Sequence, residues 1–111
     1  MILDHTIEKK DLHQSKHILD GPMVKGVVDI RRELVGIDAE MHADIEQEFL
    51  TSGSDQDDLW GINFYPDDPD EDFVEFDSMI NIRPRQGNRS RSVEDPATQQ
   101  RILEVVSKWL R

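Results

Sequence analysis

The chain has 111 residues, with 24 Asp and Glu against 13 Lys and Arg, a formal charge of −11 and no cysteine. At 36% hydrophobic residues and a mean hydropathy of −0.65, one domain with a thin core is expected, which leaves room for a homo-oligomer to complete its surface. Disulfides, thiolate metal sites and the roughly 20-residue apolar run of a membrane span are excluded; the negative field opposes non-specific nucleic-acid binding and anionic membranes. Residues 1–10 carry no signal-peptide pattern, so a cytoplasmic location is expected.

The elements are expected in four parts. Residues 1–22 read as an N-terminal helix segment: Ile7, Leu12, Ile18 and Leu19 give a weak apolar stripe after a Thr6 cap, and Asp20-Gly21-Pro22 stops it. Residues 23–83 read as strand-rich with one short helix. Met23–Arg31 is a β-branched strand, Arg32-Glu33 a turn, and Leu34–His42 the returning strand, with Val35, Ile37, Ala39 and Met41 on one parity and Asp38, Glu40 and His42 on the other. A short helix is expected over Asp44–Ser52, with Gly53 at its C′ position. Leu59–Tyr65 is a strand with Trp60, Ile62 and Phe64 on one face and Gly61, Asn63 and Tyr65 on the other. Past the acidic loop Pro66–Asp72, parity continues from Asp72 to Arg83, as one strand or as two with a bulge near Ser78. Residues 84–95 form an arginine-rich loop. Residues 96–111 form a C-terminal helix capped by Asp95 and Pro96, with Ile102, Leu103, Val105, Val106, Trp109 and Leu110 facing the core and Glu104 pairing with Lys108. The expected class is α+β: an antiparallel sheet of about four strands, helices packed on one face, and a polar face carrying Glu40, His42, Asn63, Asn81 and Arg83.

The strings "VVDI" (Val27–Ile30), "EMHAD" (Glu40–Asp44), "GS-Q-DLWGIN-YP" (Gly53–Pro66), "INIRP-QGNRS" (Ile80–Ser90) and "V-DP" (Val93–Pro96) follow one another in this order. With them the chain resembles, from about Met23 to Leu110, a family of small prokaryotic proteins defined by a domain of unknown function. That family usually has two glycines before the "E-HAD" string, where this chain has Asp38 and Ala39. The resemblance implies one domain and no particular activity.

Two constellations could carry chemistry. Arg83, Arg85, Arg89 and Arg91 concentrate positive charge in an acidic chain, and Gln86, Asn88 and Ser90 add neutral polar groups around Gly87, just before a helix start. Arginine forks suit carboxylate and phosphate, so Asn63, Asn81, Arg83, Gln86, Asn88, Arg89 and Ser90 are the candidate ligand-binding residues. The bland alternative pairs the arginines with surplus carboxylates such as Asp67 to Asp72. On a strand, Glu40, His42 and Asp44 would share one side and could serve as acid and base or hold a divalent metal, although a polar strand face is commonly just solvated. His13 and His17 at i,i+4 lack a third ligand. Asp68, Asp70 and Asp72 begin like a calcium loop, but Phe73 and Met79 stand where glycine and glutamate are needed. No cofactor motif is present, so the cofactor is left open.

The reading placed first is a non-catalytic binding or interaction module that recognises an anionic small molecule or an acidic protein surface through the Arg83–Arg91 loop. The alternatives are a small metal-dependent hydrolase or nuclease-like enzyme using Glu40, His42 and Asp44, and one member of a toxin–antitoxin-type regulatory pair.

Overall fold

The computed structural model describes residues 1–14 and 23–111. Val24–Asp29 (β1), Leu34–Gly36 (β2), Leu59–Phe64 (β3) and Val74–Glu75 (β4) form one antiparallel sheet in the order β2-β1-β3-β4. With the helices His42–Thr51 (α1) and Pro96–Trp109 (α2), this is the expected α+β class with a four-stranded antiparallel sheet, although the helices pack on opposite faces rather than on one.

Strand alternation divides the core. β1 and β3 run side by side with Val28 opposite Trp60 and Val27 opposite Gly61, and cross-strand partners share a face. On the first face Val24, Val28, Trp60, Ile62 and Phe64 join Ile102, Val105 and Val106 of α2 in one apolar cluster. On the second, Val27 and Leu59 meet Ile45 and Phe49 of α1. The second face is therefore not an open polar floor, and all six positions of β3 are buried. Gly26 keeps its place because a Cβ there would lie 2.5 Å from the Phe64 ring.

The β1–β2 hairpin depends on Asp29. Fully buried, it accepts from the backbone N–H groups of Arg31 (2.9 Å) and Arg32 (2.8 Å) and from the Ser54 hydroxyl (2.6 Å), while Glu33 turns the chain at φ 58°. The returning strand stops at Gly36, well short of the expected His42. Asp38 takes φ 66°, a left-handed conformation that glycine adopts most easily. Gly53 follows α1 at φ 105°, in the expected C′ role.

α2 starts as its sequence indicates, with the Asp95 carboxylate accepting from Ala97 N–H (3.3 Å) and Pro96 in the first turn. Leu103, 39% exposed, lies off the stripe that Ile102, Val105 and Val106 define, one 100° step around the helix. Lys108 pairs with Glu33 instead of Glu104, and the Trp109 indole N–H donates to the Glu33 carbonyl (2.8 Å). These bonds tie the end of α2 to the hairpin.

Two expected elements are replaced. No helix begins at Ile7, whose backbone bonds to the Trp109 carbonyl (2.8 Å) and the Arg111 amide (3.0 Å); a 3₁₀ helix over Lys9–Gln14 follows. The rest of the expected helix, with His17 and the Asp20-Gly21-Pro22 stop, lies outside the described residues. The long strand Asp72–Arg83 is also absent. β4 ends at Glu75, and Ser78 caps a 3₁₀ turn over Met79–Asn81 through its side-chain oxygen (3.3 Å from Ile80 N). From Asn81 onward the expected parity inverts: Asn81 and Arg83 are buried, whereas Ile82 is exposed. Among the described residues no helix is long and apolar enough to cross a membrane.

Candidate functional site

The arginine loop folds around its asparagines. A second 3₁₀ turn over Pro84–Gln86 and Gly87 at φ 78° bring the backbones of Arg83 and Asn88 together, with the Arg83 amide 2.7 Å from the Asn88 carbonyl. The Asn88 amide donates to the carbonyls of Asn81 (2.7 Å) and Ser92 (2.7 Å) and accepts from Glu94 N–H (2.9 Å). Glu94 accepts from the N–H groups of Arg89 (2.9 Å) and Ser90 (2.8 Å), and its bonds to Ser90 hold its carboxyl below the usual range. Asn81 bonds to the backbone of Gly61. Gly61 is a glycine because a Cβ would lie 2.5 Å from Ser78.

The four arginines occupy distinct positions. Arg83 is 5% exposed; its guanidinium stacks over Trp60 at 4.2 Å and donates to the carbonyls of Gln56 and Leu59 (2.8 Å to the latter). Arg85 pairs with Asp57, whose carbonyl also accepts from Gln86 (3.2 Å). Arg91 pairs with Asp77 (2.7 Å). The partners are thus Asp57 and Asp77 rather than the Asp67–Asp72 loop, where His13 meets Asp67 and Lys9 meets Asp70 (2.9 Å each). Arg89 is exposed, with no ion pair to its guanidinium among the described residues.

The expected trio on one strand face does not form. Glu40 precedes α1 and is exposed, Asp44 is exposed in the first helical turn, and His42 alone is buried. Among the described residues no group of three or more His, Asp or Glu is placed to hold a metal ion.

His42 does line a cleft of about 420 Å³, inside the ~300–1,000 Å³ range of small-molecule sites. Its floor is the end of the second sheet face that α1 leaves uncovered. There Lys25, Asn63 and Glu75 form a row across β1, β3 and β4, each opposite the next in register. The first residues of α1, Asp77 to Ile80, Tyr65 and Arg91 also line it. Of the residues expected to bind, Asn63 lies here; Asn81, Arg83, Gln86, Asn88, Arg89 and Ser90 do not line it.

Hydrogen bonding determines what the cleft has left to offer. Glu75 Oε1 accepts from the Asn63 amide and from the Tyr65 hydroxyl (2.9 Å each), and a second Asn63 bond reaches the Asp77 carbonyl (3.2 Å). Tyr65 is pushed up to about 12 by desolvation and by Glu75 beside it. Asp77 is held by Arg91. Both carboxylates are therefore engaged. Asn63 is 4% exposed, and its Oδ1 has no hydrogen-bond partner among the described residues. His42 Nε2 lies 2.8 Å from the Ile62 carbonyl, which can only accept, so Nε2 carries the proton and Nδ1 keeps a lone pair in the neutral ring. Burial lowers the His42 pKa, Lys25 lowers it further, and the Ile62 bond opposes both. Lys25, half-buried, makes no ion pair among the described residues.

Sequence reasoning missed Lys25, Tyr65, Glu75 and Asp77. One signal was available: Lys25 interrupts the apolar run Val24–Val28 with the same parity as Asn63 on the partner strand.

No curated protein and no solved structure matches this chain. The family model described as "Protein of unknown function (DUF5674)" matches residues 1–109. The chain therefore belongs to that family, one defined by a domain of unknown function, as expected.

Proposed function

We propose that this protein is a non-catalytic binding module for a small anionic ligand, which it takes into the cleft over Lys25, Asn63 and His42. Lys25 carries the reading. A half-buried lysine that makes no ion pair among the described residues offers a charge that an incoming anion would pair with. The arginine loop contributes Arg91 to the cleft lining, and its other members mainly hold the loop and the sheet edge. Bound charge is confined to a small region, since exposed charges are screened over roughly 10 Å at moderate salt; the overall charge of −11 is compatible with such a local site.

A hydrolase built on Glu40, His42 and Asp44 gains less support, because only His42 of the three faces the cleft. Recognition of an acidic protein surface is the second reading, favoured by the exposed guanidinium of Arg89, which makes no ion pair among the described residues.

NMR titration at low salt with acetate and with inorganic phosphate tests the proposal. Saturable shifts at Lys25, His42 and Asn63 are expected, lost in Lys25→Met and retained in Arg89→Ala. Absence of shifts at millimolar anion, or their loss in Arg89→Ala alone, overturns it.

A further inference from the structure

Three of the chain's four methionines, Met23, Met41 and Met79, line the same cleft. Met41 is 53% and Met79 65% exposed, the first at the start of α1 and the second in the 3₁₀ turn after Ser78. Ile80 lies beside Met79. Single exposed apolar residues are ordinary on a protein surface. Here they gather at the rim of a concavity whose floor is polar, so the cleft is divided: Lys25, Asn63 and His42 below, thioethers above. Methionine is unbranched and polarizable, and it shapes itself to apolar ligands of varied form.

We infer that the ligand is an amphipathic carboxylic acid, its carboxylate at Lys25 and its hydrocarbon chain between Met41 and Met79. This rests on the anion-binding reading above and adds the class of ligand. Charge selects the head group. Asp77 is paired with Arg91, and Glu75 accepts from Tyr65 and Asn63, so among the described residues Lys25 is the cation of the cleft that makes no ion pair. The apolar rim selects the tail. A ligand with only one of these features would leave either the ammonium or the thioethers in water.

Calorimetric titrations of the whole chain with acetate, octanoate and octylamine, below micelle concentrations, test this. Affinity should rise about two- to fourfold for each methylene covered, so octanoate should bind far more tightly than acetate, and octylamine, with the same chain and opposite charge, should not bind. Lys25→Met should weaken octanoate strongly. The double variant Met41→Gln/Met79→Gln keeps side chains of similar length and removes their apolar character; it should bring octanoate affinity down towards that of acetate. If acetate and octanoate bind equally, the inference falls and the anion-binding function stands. If neither binds, both fall. Binding of octylamine as tight as octanoate overturns the inference by removing the role of charge. It is also overturned if the double variant shifts the sedimentation coefficient towards a smaller species with unchanged octanoate affinity, which would assign the methionines to a contact between two copies of this chain.

Discussion

The side-chain amide of Asn81 pairs with both backbone groups of Gly61: it accepts from the Gly61 N–H (2.8 Å) and donates to the Gly61 carbonyl (2.9 Å). A side chain thus takes the place of a strand residue. β4 reaches only as far as Asn63 opposite Glu75, and from there the edge of β3 is closed by Asn81 and then by the Arg83 guanidinium at the Leu59 carbonyl. An open edge would invite pairing with another chain. Two polar side chains satisfy it without a ladder.

Asn81→Ala should destabilise the fold by about 2–3 kcal/mol, because it leaves the Gly61 N–H, the Gly61 carbonyl and the Arg91 carbonyl short of partners in a buried place. Asn81→Asp keeps an acceptor for the N–H but turns a carboxylate towards two carbonyls, so it should cost at least as much. Urea denaturation of both variants reads the difference. A loss below about 0.5 kcal/mol, the range of ordinary surface changes, would mean that water reaches this edge and that Asn81 does not seal it.

The arginines can be told apart by stability. Arg83→Lys removes the planar fork that reaches two carbonyls while lying on the Trp60 ring, and lysine reproduces neither geometry. A loss of about 1–3 kcal/mol is expected, with a change in tryptophan fluorescence. Arg85→Ala breaks only an exposed pair with Asp57 and should stay within about 1 kcal/mol of wild type. Equal effects in the two variants would contradict the buried role of Arg83.

Legibility from sequence follows from how far each element depends on local signals. α2 was readable because its cap, its first proline and its stripe at Ile102, Val105 and Val106 are all local. β1 was readable because β-branched residues dominate it, and β3 because Trp60, Ile62 and Phe64 fall on alternate positions. The segment after Glu75 was not, because "VEFDSMINIR" holds strand parity throughout. The parity is broken by a serine cap at Ser78 and by Asn81 binding a glycine twenty positions earlier, and a nonlocal bond leaves no mark on periodicity. Placing His42 on a strand failed for a related reason. The alternation from Val35 to His42 is real in sequence, but the left-handed turn at Asp38 ends the strand first. The cleft itself was only partly readable: Asn63 and His42 were singled out, but Lys25 and Glu75 meet them only through strand order.

His42 gives stability a defined pH dependence. Its folded pKa lies below the unfolded value of about 6.5, chiefly because burial disfavours the imidazolium, with Lys25 acting in the same sense against the Ile62 bond. Between the two values the unfolded chain binds more protons, so stability rises with pH. The contribution of the neutral ring is complete above about pH 6.5 and is lost as pH falls towards the folded pKa. The depressed carboxyls of Glu33 and Glu94 act in the same direction but at lower pH, so the comparison belongs above the carboxylate range. Urea midpoints should decline between neutral and mildly acidic pH in wild type, and His42→Gln should flatten that decline. A slope unchanged in His42→Gln would assign it to other groups.

Tyr65 is the single tyrosine of the chain, so its ionisation can be followed by ultraviolet absorbance without overlap from another phenol. Its pKa is raised to about 12, first by desolvation and then by the hydrogen bond to Glu75 and that carboxylate's charge. The hydroxyl lies 2.9 Å from Glu75 Oε1 and 3.3 Å from Met23 Sδ, so it can donate to either acceptor, and a phenolate there would face a carboxylate. Glu75→Gln removes the charge but keeps an acceptor. The midpoint should fall towards the ordinary value of about 10 without reaching it, because the desolvation remains. Should the midpoint stay where it was, the carboxylate is not the neighbour that the phenol feels, and the chain of bonds from Asn63 through Glu75 to Tyr65 along the cleft floor would be broken at its last link.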